Sequence, residues 1–70
     1  MKRTPVKSSN IKSIGYDKKN STLEIEFSQG AVYQYPDVPE EEHIALMGAS
    51  SKGKHFDEHI KSAYDFTRVS

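Results

Sequence analysis

At 70 residues the chain has room for one domain around a thin core, because a chain of this size buries only about 60% of its unfolded surface. Hydrophobic residues make up 34% and charged residues 29%, with four tyrosines and three phenylalanines to supply bulk, a composition unlike a disordered chain; the absence of cysteine excludes disulfide staples and thiolate metal sites. Ten basic and ten acidic residues cancel, but residues 1–19 carry a net of +5, residues 20–50 a net of −6 with no Lys or Arg, and residues 51–70 a net of +1.

Residues 1–8 read as a flexible or loosely docked arm. Thr4-Pro5 interrupts regular structure, and Lys2, Arg3, Lys7 and Ser8 have no apolar partners nearby. The arm has no apolar run of the kind found in a signal peptide or a membrane span, so a cytoplasmic location without membrane contact is expected. A single domain is expected over residues 9–70.

From Asn10 to Tyr16 the apolar residues Ile11, Ile14 and Tyr16 give a broken alternation, and Gly15 marks a bulge or a close backbone approach within a first strand. Asp17-Lys18-Lys19-Asn20-Ser21 has turn composition. Thr22 to Ser28 then alternates strictly, with Leu23, Ile25 and Phe27 on one face and Glu24 and Glu26 on the other. Gln29-Gly30 supplies a turn, and Ala31 to Tyr35 returns as the third strand of an antiparallel meander.

The register of that return strand is open at this level. A two-residue loop at Gln29-Gly30 pairs Phe27 with Val32 and sets Tyr33 and Tyr35 opposite Glu26 and Glu24; a three-residue loop with Gly30 in a bulge pairs Phe27 with Ala31 and turns both rings toward the core. The two tyrosines share a face in either case, because they lie two apart.

Pro36 and Pro39 close the sheet. Pro39 suits the first position of a helix, and Glu40, Glu41 and Glu42 sit where negative charge favours the helix dipole. Ile44 and Met47 are expected to face the sheet with help from Ala45 or Gly48. Ser50 or Ser51 caps a second helix running to about Ala63, whose buried face is Phe56, Ile60 and Ala63. Tyr64 to Val69 alternates again, as a short C-terminal strand or an extended tail. The expected fold class is α+β: a three-stranded antiparallel β-meander, two short α-helices and that optional strand.

In order, the pieces are Ser9-Asn10-Ile11 to Ile14-Gly15-Tyr16-Asp17, Leu23 to Gly30, Tyr33 and Tyr35, Val38-Pro39, and Ser51-Lys52-Gly53 with Phe56, before Ile60 and Tyr64. This series resembles the KTSC domain, a short bacterial module found at the C-terminus of some lysyl-tRNA synthetases and as a free-standing small protein. The resemblance implies RNA, either tRNA or a single strand, as the expected partner, with Tyr33 and Tyr35 as the residues that carry it.

Tyrosines on a strand stack on unpaired bases when the rings are exposed and a basic groove tracks the phosphates. Ser51, Lys52, Gly53 and Lys54 form the better anion site, since a helix N-terminus offers free N–H groups and flanking lysines add charge. His55-Phe56-Asp57-Glu58-His59 spells H-x-x-E-H, but a zinc hydrolase also needs a third ligand and a cleft. The chain is therefore expected to be a non-enzymatic binding module for RNA or another polyanion, with no catalytic residues, no metal and no cofactor. The alternative is a protein-interaction module or homodimer with Tyr33, Tyr35, Tyr64 and Phe66 as contacts.

Overall fold

A computed structural model describes residues 1–70. Five antiparallel strands follow one another across a single sheet, β1 (Arg3–Pro5), β2 (Ile11–Asp17), β3 (Thr22–Phe27), β4 (Val32–Tyr35) and β5 (Thr67–Arg68). Helices α1 (Glu40–Gly48) and α2 (Lys52–His59) lie between β4 and β5 in the chain. The α+β meander with two following helices is thus present, widened by one short strand on each edge.

The register of β3 and β4 is set at Gly30. The Phe27 N–H donates to the Ala31 carbonyl at 2.9 Å, the Gly30 N–H donates to the Phe27 carbonyl at 2.9 Å, and Gly30 takes a φ of 105°. This is the three-residue loop: Ile25 pairs with Tyr33 and Leu23 with Tyr35, so both tyrosines share the Leu23-Ile25-Phe27 face. Glu24 and Gln34 pair on the opposite face.

The broken alternation of β2 has two separate causes. A register shift between Ile11 and Ser13 makes Lys12 the extra residue of a bulge and lets Ile11 and Ile14 face the same core. Gly15 is not the bulge but the close approach: a Cβ there would sit 2.9 Å from the Lys2 carbonyl oxygen. That oxygen belongs to the segment read as a loose arm. Residues 3–5 instead pair with Gly15, Ile14 and Ser13 of β2, and the Val6 N–H donates to the Lys12 carbonyl at 3.1 Å.

A polar network on the outer sheet face fastens β1. The Arg3 guanidinium bonds the Glu24 carboxylate and donates from Nε to Ser13 Oγ at 3.1 Å. Gln34 donates to the other Glu24 oxygen at 2.8 Å, and Ser13 donates to Glu26 at 2.8 Å. Glu24 is buried yet fully bonded. Burial alone would raise its pKa; the hydrogen bonds from Gln34 and Arg3, with the Arg3 charge, outweigh that and hold it below the ordinary 4.5.

On the inner face, Ile11, Ile14, Leu23, Ile25, Tyr35, Val38, Leu46, Phe56 and Ile60 form one core cluster. Leu46, rather than Ile44, is the buried residue of α1; Ile44 is 61% exposed. The docked face of α1 is read from His43, which stacks on Tyr16 at 4.8 Å and 8°, followed by Leu46 one turn on and Met47 packed against the core. Tyr16 also donates its hydroxyl to the Val38 carbonyl at 2.6 Å, pinning the link between β4 and α1. In α2 the cap is Ser51, which accepts from the Lys54 N–H, and the helix stops at His59, so Ala63 falls beyond it and is exposed.

Arg3→Ala leaves Glu24 buried without its cation and is expected to cost about 1–2 kcal/mol, discounted because Arg3 is partly exposed, lowering Tm by roughly 4–8 °C per kcal/mol for a domain of this size. Because the folded pKa of Glu24 is depressed, its contribution is present above pH 4.5 and is lost as the pH falls through the lower folded value. Thermal melts from pH 7 to pH 3 should therefore show the wild-type and Arg3→Ala curves converging in acid. Gly15→Ala is expected to destabilise by about 1–3 kcal/mol, through the overpacked contact with β1, measurable by urea unfolding.

Candidate functional site

The same register that buries Tyr35 lines a surface groove with aromatic rings. Tyr35 is 2% exposed and meets Phe56 edge to face at 5.6 Å. Phe27 meets Phe56 at 5.5 Å and Tyr33 at 5.4 Å, both edge to face. Tyr33 is half-buried, and Phe66 from the tail stacks on it at 4.9 Å and 20°. These rings run from the core to the surface without a break.

They border a groove of about 630 Å³ whose polar rim includes Asn10, Gln29, Asp57 and Lys61. The turn that forms part of this rim is tied down: the Ser28 N–H donates to the Asn10 carbonyl at 2.8 Å, and Ser28 Oγ donates to the Ser9 carbonyl at 3.1 Å. A second depression, about 420 Å³ and lined entirely by non-hydrophobic residues, adjoins it around Lys7, Ser51, Lys52 and Lys54. Ser9, Asn10, Gly53 and Asp57 line both, so the aromatic groove and the lysine shelf are contiguous. At Gly53, where the two depressions meet, a Cβ would stand 3.5 Å from Ser8 Oγ and 3.6 Å from Asn10 Nδ2, in ordinary van der Waals contact.

The charge of this surface is one-sided. Lys7, Lys52, Lys54 and Lys61 line the two depressions against the single carboxylate of Asp57. None of these lysines is ion-paired, although Lys52 Nζ donates to the Ala49 carbonyl at 3.1 Å. The acidic first turn of α1 lines neither.

Of the residues singled out by sequence, Ser51, Lys52, Gly53 and Lys54 come together on the shelf, and Tyr33 and Tyr35 line the adjoining groove, Tyr35 as a core residue. Phe66, Phe27 and Lys61 complete the groove; of these the sequence marks only Phe66, as a contact in the protein-interaction alternative. Phe66 is 33 positions from Tyr33 in the chain, beyond any local pattern, and Phe27 reads from its alternation only as core.

The H-x-x-E-H residues do different work. His55 Nε2 lies 3.2 Å from Glu42 Oε1, linking the helices, and His59 packs its ring 4.5 Å from that of His55. No group of three His, Cys, Asp or Glu side chains is arranged to hold a metal ion. Two serines of the shelf are engaged with nearby backbone: Ser8 Oγ accepts from the Asn10 and Ile11 N–H groups, each at 3.4 Å, in the turn before β2, and Ser51 Oγ, the cap of α2, accepts from that of Lys54. No helix is long and apolar enough to cross a membrane.

A family model, the KTSC domain, matches residues 7–64. An uncharacterised protein of Stutzerimonas stutzeri is 48% identical over 70 residues, covering 99% of both chains. A lysine–tRNA ligase of Nostoc punctiforme is 43% identical over 60 residues, which is 86% of this chain and 11% of the ligase. Among solved structures, a KTSC domain protein from Yersinia pestis superimposes with a TM-score of 0.93 at 48% identity, over 99% of this chain and 97% of the other.

The two tyrosines should separate cleanly on substitution. Tyr35→Ala empties the centre of the core and is expected to cost about 3–5 kcal/mol, whereas Tyr33→Ala, losing a half-exposed ring, is expected to cost about 1–2 kcal/mol; urea unfolding monitored by circular dichroism checks both. Burial, with a smaller contribution from Tyr33, pushes the Tyr35 phenol up to about 12, and burial followed by the Glu42 charge raises the Tyr64 phenol as well. An ultraviolet titration should therefore show late tyrosine ionisation, and Tyr35→Phe should remove the step near pH 12.

Proposed function

This chain belongs to the KTSC domain family, and from that premise we propose that it is a small binding module that takes single-stranded RNA along the groove and shelf, rather than an enzyme. The observation that carries the reading is the junction itself: aromatic rings and unpaired lysines line adjoining depressions that share Ser9, Asn10, Gly53 and Asp57. Nucleic-acid surfaces that bind unpaired strands combine these two elements, π-faces for bases and a basic track for phosphates. The relationship to lysine–tRNA ligases, which match most of this chain with a ninth or so of their own length, supports RNA as the polyanion. Double-stranded RNA fits less well, because its bases are stacked away and the lysine shelf is short.

One form of the rival protein-interaction reading, a homodimer through a sheet edge, draws little support from the edges. The outer strands have three and two residues, and one carries Pro5, which blunts edge pairing.

Binding is expected to be weak and salt-dependent. Fluorescence anisotropy with single-stranded RNA and with tRNA at low salt should give Kd in the range of ~1–100 μM. The slope of log K against log salt should be about −2 to −3 if three or four lysines meet phosphates. Charge reversal at Lys52 and Lys54 together should weaken binding and make the slope shallower by roughly 1.4. Absence of binding by either RNA at ~100 μM, the weak end of nonspecific affinity, would sink the reading.

A further inference from the structure

Neither tyrosine of the Tyr-x-Tyr strand is placed to offer its ring directly to a ligand. Tyr35 is 2% exposed. Tyr33 is half-buried, with Phe66 covering one face in a near-parallel stack and Phe27 meeting it edge to face. The aromatic ring open to solvent on this surface is Phe66, 53% exposed, and it stands in the same groove as Gln29 and Lys61.

We infer that Phe66 is the base-stacking residue of this protein, with Tyr33 behind it as the support that fixes its plane. The inference rests on the RNA reading and assigns the contact within it. The tail is held for this purpose by backbone bonds: β5 pairs Arg68 with Tyr33 and Thr67 with Gln34, the Val69 N–H donates to the Val32 carbonyl at 2.8 Å, and the Val32 N–H donates to the Ser70 carbonyl at 3.1 Å. A ring so fastened, with Tyr35 also packed against it at 5.7 Å and 42°, loses little freedom on binding, which favours a flat ligand laid against its exposed surface. Stacking is indifferent to base identity, since every base has a π-face, and Lys61 with the shelf lysines supplies the attraction for the flanking phosphates. The occupant is therefore an unpaired nucleobase within a strand. Phe66 lies in the tail, beyond the segment matched by the family model, which ends at residue 64.

The test uses the full chain and short single-stranded RNAs carrying one 2-aminopurine, read by anisotropy and by quenching of the 2-aminopurine. Phe66→Ala should weaken binding about tenfold and abolish most of the quenching. Phe66→Leu, which keeps apolar bulk without a π-face, should lose the quenching as well, and Phe66→Trp should retain it. Equal or tighter binding by Phe66→Ala would make the ring a passive cover over Tyr33 and overturn the inference, as would unchanged quenching in Phe66→Leu. Should the wild-type dimerise in sedimentation and Phe66→Ala not, the ring belongs to a second copy and the inference fails. If the wild-type binds RNA through Lys52 and Lys54 while Phe66→Ala binds equally, only this assignment falls; if the wild-type binds no RNA, the assignment and the functional reading fall together.

Discussion

The turn at Ser28-Gln29-Gly30 governs the rest of the molecule. In a sheet the side-chain period is two, so lengthening this loop by one residue exchanges the two faces of β4. The bond from the Phe27 N–H to the Ala31 carbonyl, with Gly30 at a φ of 105°, turns Tyr33 and Tyr35 inward and Gln34 outward. The inward tyrosines give a thin core enough volume to hold two short helices. The outward Gln34 completes the bonding of buried Glu24, which in turn holds Arg3 and β1. The alternative register would put both rings beside Glu24 and Glu26 and leave the inner face without its largest side chain.

Core and surface are consequently one aromatic assembly. Tyr35 packs against Phe56, Phe56 against Phe27, Phe27 against Tyr33 and Tyr33 against Phe66, so the residues that stabilise the domain also hold the outermost ring in place. A small protein without disulfides has few other ways to present a rigid surface. Edge-to-face and offset arrangements contribute about 0.5–1.5 kcal/mol per pair beyond the area they bury, which is a considerable share of the stability such a domain can have.

Much of this was legible in the sequence where the determinants are local. The strict alternation of Thr22 to Phe27, the acidic start of α1 and the serine cap of α2 each encode their element within a few residues, with Pro39 standing as the extended cap residue of α1 rather than at its first helical position. Three features depend on distant partners and were not. Residues 3–5 look like an arm because nothing near them in the chain explains Arg3; its partner, Glu24, is 21 positions away. Gly15 fits either a bulge or a close approach from its neighbours in the chain, and only the Lys2 carbonyl beside it decides between them. On α1 the apolar spacing of Ile44 and Met47 points to the wrong stripe, since His43 docks by stacking on Tyr16 and a polar residue is not counted as core. The candidate site divides in the same way: the shelf from Ser51 to Lys54 is contiguous in sequence, whereas the groove joins β3, β4, α2 and the tail.

The neutral total charge conceals the feature most relevant to a partner. Arg3 is paired with Glu24 and Glu26, Lys12 lies 4.0 Å from Glu26, and Lys18 lies 3.8 Å from Glu40. These pairings, strong at Arg3 and weak at the exposed lysines, cancel much of the basic N-terminal third against the acidic middle of the chain. Lys7, Lys52, Lys54 and Lys61 have no such partners and line adjoining depressions. Folding thus spends its opposite charges on the outer sheet face and around α1, and leaves an excess of positive charge on the shelf, where Lys7, Lys52 and Lys54 stand against Asp57, beside an aromatic groove that carries Lys61 and Asp57. A field of that kind acts on a polyanion irrespective of the zero net charge, because attraction at the distance of a Debye length or less depends on the local distribution.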